Sequence, residues 1–266
     1  MLSGGTSLAT LWRLYRVELA ANYLVILLIC LHINVVNANA REQVHIAVAT
    51  NFLGTAQQIK SEFEKHHDIN VLLSAASTGK LFAQVVHGAP YEIFMSADQA
   101  RPQQLEQQGL IKKGQRFDYA IGELVIWHPN YSTEDFGLQT MLKPEVSRIA
   151  MANPRTAPYG LAAQQFLNTT KLLNVLQPKI VRGENVGQAI QFVRSGNAQV
   201  GIVAHSMLIA LKENISHYTA IDQQLYRPIV QQFVVLSERS EVALFVDFLA
   251  SDNARSIIKR NGYRIP

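Results

Sequence analysis

From Arg41 to the C-terminus, apolar runs of strand length alternate with segments whose apolar residues recur every three or four positions, and this alternation constrains the fold more than any other feature of the 266-residue chain. "HIAVAT" (His45 to Thr50) reads as a buried strand, and Gly54 to His66 follows with Ala56, Ile59 and Phe63 on one helical face. "INVLLSAA" (Ile69 to Ala76) predicts a second strand and Lys80 to His87 a second helix, with Leu81 and Val85 four positions apart. "EIFMSAD" (Glu92 to Asp98) predicts a third strand, with a short helix up to Gly109. Strands that alternate with helices imply a parallel sheet covered by helices. A second series opens with a strand over Glu123 to Trp127 and continues with "RIAMANP", a helix over Gly160 to Leu173, "KIVRG", a helix over Val186 to Arg194, and "QVGIVAHS". "IVQQFVVLS" and helices over Glu241 to Lys259 close the chain. The expected fold class is α/β in two lobes, each a mixed or parallel sheet flanked by helices. Lobe 1 takes residues 41–122 with 227–266, and lobe 2 takes 123–226. The chain then crosses between lobes twice, which makes a hinge. Ligands of open α/β sheets bind beyond the carboxyl ends of the strands, so two such lobes face each other across a cleft.

The N-terminus reads as a leader. "NYLVILLICLHINVVNANA" (Asn22 to Ala40) carries an apolar run, Arg13 and Arg16 precede it, and Ala38-Asn39-Ala40 supplies small residues at a cleavage position. This is the three-part layout of a secretory signal, so residues 1–40 are expected to be a signal peptide and the protein periplasmic. The apolar run is short and polar at His32 and Asn34 for a membrane span. Cys30, the one cysteine, lies within it, so a chain cut after Ala40 has no thiol and folds without disulfides. Net charge is +4, from 24 basic and 20 acidic residues, and falls to about +3 once Arg13, Arg16 and Glu18 are removed. No basic cluster with interleaved aromatics occurs, so nucleic acid is not an expected partner.

"SAASTGKLFAQV" (Ser74 to Val85) has the Gly-Lys of a phosphate loop without its spacing. A Walker loop requires glycine where Ser74 stands and a hydroxyl residue where Leu81 stands, so no nucleotide is implied. The strand-helix junction keeps its attraction for anions, because the first N–H groups of a helix lack internal partners and carry partial positive charge. Two junctions of lobe 1 share this character: Thr50 and Asn51 before Gly54, and Ser77 and Thr78 before Gly79. Hydroxyls and amides add neutral donors there, and glycine lets the backbone approach a ligand. In lobe 2, Pro158, Tyr159 and Gly160 open one helix, and Asn185 and Val186 open another, Val186 contributing its backbone N–H alone.

These residues carry a resemblance. "AVATNF", "SAASTGKLFAQVVHGAPYEIFMSADQARPQQLEQQGLI" and "GNAQVGIVAHS" resemble the periplasmic molybdate-binding proteins of ABC importers, in the subgroup whose first loop reads Ala-Thr-Asn-Phe. The resemblance covers nearly all of Val44 to Pro266 and is most specific from Ser77 to Leu110. It implies a two-lobe, type II binding-protein fold that closes on molybdate or tungstate and delivers it to a membrane permease. It further implies ligands at Thr50 or Asn51 and at Thr78 with Ser77 beside it in lobe 1, and at Tyr159 and the Val186 backbone in lobe 2. Many relatives carry a tyrosine after Gly-Ile-Val; here that position is Ala204, which leaves Tyr159 as the phenol donor.

None of the implied ligands is charged. Hydrogen bonds to a charged partner are about twice as strong as neutral ones, so about six of them offset desolvation of a dianion. Hydrogen phosphate keeps a proton and needs an acceptor, so a cavity of donors is expected to reject it and to take fully ionised tetrahedral oxyanions, with sulfate the alternative ligand. The metal arrives inside the oxyanion, with no direct protein–metal bond and no other cofactor. Lys80 is expected in solvent. His66 and His67 diverge by about 100° on a helix end, which makes shared metal ligation awkward. Neither His-Glu-x-x-His nor Gly-x-Ser-x-Gly nor Cys-x-x-Cys occurs, and Asp98 with Arg101 and Glu62 with Lys65 read as surface charge partners. A monomeric binding protein, not an enzyme, is expected.

Overall fold

The computed structural model describes residues 42–266 together with Arg16; the expected leader and Cys30 lie outside the described residues. Residues 43–266 form one compact unit built on two five-stranded sheets. The chain begins with β1 (Glu42–Ala49), a 3-10 turn at Thr50–Phe52, and α1 (Leu53–Phe63). β2 (Ile69–Ala76), α2 (Thr78–Val86), β3 (Ile93–Ser96), α3 (Ala100–Gln107) and β4 (Arg116–Gly122) complete the first passage. The second sheet draws on β5 (Leu124–Trp127), β6 (Ile149–Ala152), α4 (Pro158–Thr169), α5 (Leu173–Leu176) and β7 (Ile180–Gly183). It continues through α6 (Val186–Arg194), β8 (Val200–Ala204), α7 (His205–Ala210) and β9 (Tyr218–Ala220). β10 (Ile229–Val235), α8 (Ser240–Ala250) and α9 (Asp252–Arg260) return to the first sheet.

The sheet orders are β2-β1-β3-β10-β4 and β7-β6-β8-β5-β9. β1 and β3 run parallel, as do β6 with β7 and β6 with β8. β10 runs antiparallel to both of its neighbours, and so does β5. Both sheets are therefore mixed, with helices on their faces, which is the expected two-lobe α/β architecture. The near-continuous apolar runs follow from covering both faces of each sheet. Val44, Ile46 and Val48 of β1 join Ile59 and Phe63 of α1 and Phe245 of α8 in one cluster. Ala47, from the same strand, points the other way and joins Leu81 and Val85 of α2 with Phe94 and Leu105. Truncating a fully buried ring such as Phe63, which packs 5.2 Å from Phe245, costs about 3–5 kcal/mol.

Two strands escaped the sequence pattern. β4 opens with half-exposed or exposed Arg116, Phe117 and Asp118, so its apolar half is too short to stand out. β9 is three residues long and has no buried member. The helix expected over Gly160 to Leu173 starts two residues earlier, at Pro158, whose fixed φ suits the first helical position, and is interrupted at Lys171, where φ is +60°. The chain passes from the first sheet to the second through one residue, Glu123, between β4 and β5. Its carboxylate lies 3.5 Å from Nε of Arg264 and 3.3 Å from Nδ1 of His205, and the Leu124 N–H donates to the Tyr226 hydroxyl at 3.1 Å.

Candidate anion site between the two sheets

Thr50, Asn51, Ser77, Thr78, Tyr159 and Val186 line a single small cavity. Ala49, Ala157, Pro158 and Asn185 complete its wall. The cavity measures about 10 Å³, room for about one water. Four helical starts meet here. The 3-10 turn at Thr50 follows β1 and α2 follows β2, while α4 follows β6 and α6 follows β7. Each lobe thus brings two chain segments whose leading N–H groups have no intrahelical partner, and their dipoles favour negative charge. Among the described residues, no Asp, Glu, Lys or Arg lines the cavity.

The hydroxyls are committed unequally. Among the described residues four buried side-chain polar atoms lack a hydrogen-bond partner, and two of them, Thr50 Oγ1 and Ser77 Oγ, belong to this cavity's lining. Buried groups of this kind normally cost about 1–3 kcal/mol each unless something pairs with them. The Thr78 hydroxyl accepts the Ala97 N–H at 3.1 Å, which leaves its own proton to donate. Asn51 differs: its side-chain nitrogen donates to Gln231 Oε1 at 2.9 Å and to the Tyr263 hydroxyl at 3.1 Å, so both hydrogens are spent inside the first lobe. Of the alternatives Thr50 and Asn51, it is Thr50 that holds an uncommitted hydroxyl. Asn185 caps α6 by accepting the Gln188 N–H at 3.0 Å, and Val186 behind it is buried. At the first helical position Val186 offers its N–H and nothing else. Gly187 lets α6 approach lobe 1 closely, since a Cβ there would stand 2.8 Å from the Thr50 methyl carbon.

Tyr159 is buried, and its hydroxyl receives a long hydrogen bond of 3.5 Å from Gln231 Nε2. Burial pushes the Tyr159 phenol well above its ordinary titration range, with neighbouring Tyr263 adding to the effect. Tyr263 is likewise pushed up, to about 12, by burial. Both phenols therefore remain neutral donors at physiological pH. Outside the cavity, further bonds link the two lobes: Gly79 N–H donates to the Thr156 carbonyl at 2.9 Å and Ser206 Oγ to the Asn51 carbonyl at 3.3 Å. Lys80 is exposed, as expected, but is not simply solvated: its ammonium donates to Glu184 of the other lobe at 2.9 Å. Such an exposed pair contributes about 0–1 kcal/mol. Neither His66 nor His67 takes part in a metal-binding cluster among the described residues, and His67 stacks on Phe63 at 4.3 Å. Asp98 pairs with Arg101, and Glu62 with Lys65 at 2.7 Å.

Residues 44–264 match the family of bacterial extracellular solute-binding proteins. The chain belongs to that family. As a solute-binding protein it is 36% identical over 228 residues to the molybdate-binding protein ModA of Rhodobacter capsulatus, covering 84% of this chain and 89% of the relative. A solved structure, the periplasmic molybdate-binding protein of Azotobacter vinelandii, superposes with a TM-score of 0.79 at 38% identity, covering 84% of this chain and 99% of that one. The sulfate-binding protein SubI of Mycobacterium tuberculosis shares the fold alone, with a TM-score of 0.63 at 13% identity over 84% of this chain and 87% of that one.

Sequence reasoning missed Gln231, Tyr263 and Tyr119. Gln231 lies 180 positions from Asn51, to which it is hydrogen-bonded, and polar residues within strands carry no signal of such a partner. A faint cue existed in "IVQQFVV", where two glutamines interrupt an otherwise apolar strand.

Proposed function

We propose that this solute-binding protein captures molybdate or tungstate in the cavity between its lobes and delivers it to the membrane permease of an ABC importer. The observation that carries the reading is the pair of buried, unpartnered hydroxyls, Thr50 Oγ1 and Ser77 Oγ, at a cavity without charged side chains where four helical starts converge. The names of the two relatives above support the choice of anion. Thr50, Ser77 and Thr78 donate through their hydroxyls, Tyr159 through its phenol, and Val186 through its backbone N–H, while Asn51 shapes the first-lobe loop. The anion is the ligand, and its metal makes no direct bond to protein.

In this reading lobe 1 comprises 41–122 and 227–266 and lobe 2 comprises 123–226, with the crossings at Glu123 and near Arg227 serving as the hinge. Export through a signal peptide over residues 1–40 places the protein in the periplasm, where it acts as a monomer, without catalytic activity and without binding nucleic acid. Closure around the anion presents a joint surface of both lobes to the permease. Titration calorimetry of the purified protein with molybdate, tungstate, sulfate and phosphate tests the assignment. Tight binding of the first two, weak sulfate binding and no phosphate binding are expected; no heat from molybdate or tungstate refutes it.

A further inference from the structure

We infer that Gln231 is a positioning residue that fixes the direction of the Tyr159 hydroxyl proton and so makes the second lobe's phenol a donor to the bound anion. This rests on the anion reading of the cavity proposed above. The Asn51 backbone carbonyl can only accept. The Tyr263 hydroxyl donates to it at 2.8 Å. Having spent its one proton there, Tyr263 can only accept from the Asn51 side chain 3.1 Å away, so the atom facing it is the nitrogen. The second hydrogen of that nitrogen points at Gln231, 2.9 Å away, which must therefore present its oxygen. Tyr119, whose hydroxyl lies 3.1 Å from the same oxygen and 3.2 Å from the Ser96 carbonyl, divides its one proton between these two acceptors and adds no donor that would turn the Gln231 amide around. Only the Gln231 nitrogen is left to face Tyr159, so Tyr159 accepts, at 3.5 Å. A phenol has one proton, and this one is left for an acceptor other than Gln231; the neighbouring Tyr263 hydroxyl can take it while the cavity is empty, and the cavity that Tyr159 lines supplies the acceptor when an oxyanion is bound.

The backbone holds the relay in place. Gln231 is fully buried and stands at an irregularity of β10, where Gln231 pairs with Ala120 but the next residue, Gln232, pairs with Asp118. Bulges of this kind re-aim side chains beside functional sites. Gln232 spends its own amide on Asp118 and Arg116 and takes no part. Within the relay, the Gln231–Tyr159 bond is both the longest and the one that joins the two lobes, so lobe opening breaks it first.

Gln231→Glu tests the direction of the relay. Its introduced carboxylate has no proton to donate, so the Tyr159 hydroxyl turns toward it and the anion loses a donor. Burial raises the titration range of a carboxyl toward neutrality, and protonation restores a donor. Molybdate affinity of Gln231→Glu is expected to fall by roughly 100-fold at pH 8.5 and to recover by roughly tenfold or more at pH 5.5, against a nearly flat wild-type profile. The same profile is measured in a Tyr159→Phe background. A recovery that shrinks there supports the relay; a recovery of unchanged size is charge repulsion acting without the phenol and overturns it. Should Gln231→Glu fail to fold, Gln231→Met replaces it: Tyr159→Phe then costs clearly less affinity in the Gln231→Met background than in the wild type, and an equal cost overturns the inference. Failure of the wild-type protein to bind molybdate is a separate result, which removes the anion reading itself.

Discussion

The two lobes reach the same cavity with different chemistry. Lobe 1 arrives with side-chain hydroxyls, Thr50, Ser77 and Thr78, set at the ends of adjacent strands β1 and β2. Lobe 2 arrives with the leading residues of α4 and α6, where Pro158 has no N–H, Val186 has only its backbone to give, and Tyr159 reaches back with a phenol. The difference teaches where substitution should be felt. In the proposed reading lobe 1 acts through single hydroxyl atoms, and lobe 2 through one phenol and one backbone N–H.

The largest expected effect strikes that phenol from lobe 1. Gly122 ends β4, and a Cβ there would overlap the Tyr159 hydroxyl. Gly122→Ala is expected to displace the phenol at a cost of about 1–3 kcal/mol in packing and to weaken molybdate binding by roughly 100-fold, read by calorimetry. Ser77→Ala comes next, with a loss of roughly 10- to 100-fold for a removed hydrogen bond to an anion. Because Ser77 Oγ has no partner within the protein, the melting temperature without ligand should hold or rise. Val186→Ala is expected to leave affinity within about threefold, since the N–H survives, while lowering stability by about 1–2 kcal/mol in denaturant titration. A large affinity loss there would break the contrast between side-chain and backbone donors.

The smallest effect separates the lobes by pH. His128 of lobe 2 is buried, stacks on Phe136 at 4.2 Å, and lies 3.2 Å from the Tyr131 carbonyl and 3.0 Å from the Thr219 hydroxyl. A carbonyl only accepts, so Nδ1 carries the proton and Nε2 accepts from Thr219. Burial pulls its titration below the ordinary value of 6.5. The unfolded chain then binds the proton more readily, so this contribution to stability is complete above about pH 6.5 and is lost as pH falls below it. In lobe 1 the carboxyls of Glu62 and Glu106 are held below their usual range, chiefly by hydrogen bonds from Lys65 and Arg116, so their contribution disappears only at more acidic pH. His128→Asn should flatten the stability profile between pH 5 and 6.5, checked by thermal melts across that range.

The same contrast governs what could be read in advance. Hydroxyl residues beside glycine at two strand ends are visible in a sequence, and apolar runs of strand length announce covered sheets, so the hydroxyls that line the cavity from lobe 1 and most strands were legible. Tyr159 and Val186 were legible mainly through family resemblance, because a backbone N–H has no residue type of its own. β4 was hidden by the charges of Arg116 and Asp118. The Asn51–Gln231–Tyr159 relay was beyond reach, since it depends on β10 inserting between β3 and β4 from the far end of the chain. That insertion also explains why Asn51, a reasonable donor by residue type, has its side-chain hydrogens committed elsewhere.

The central claim is that a dianion is held by neutral donors that do not titrate. Calorimetry of molybdate binding at pH 7 in buffers of differing ionisation enthalpy measures the protons exchanged on binding. None is expected: among the described residues no acidic or basic side chain lines the cavity, and burial holds the Tyr159 phenol protonated. Uptake or release approaching one proton per anion would mean that a titrating group takes part, and would contradict it.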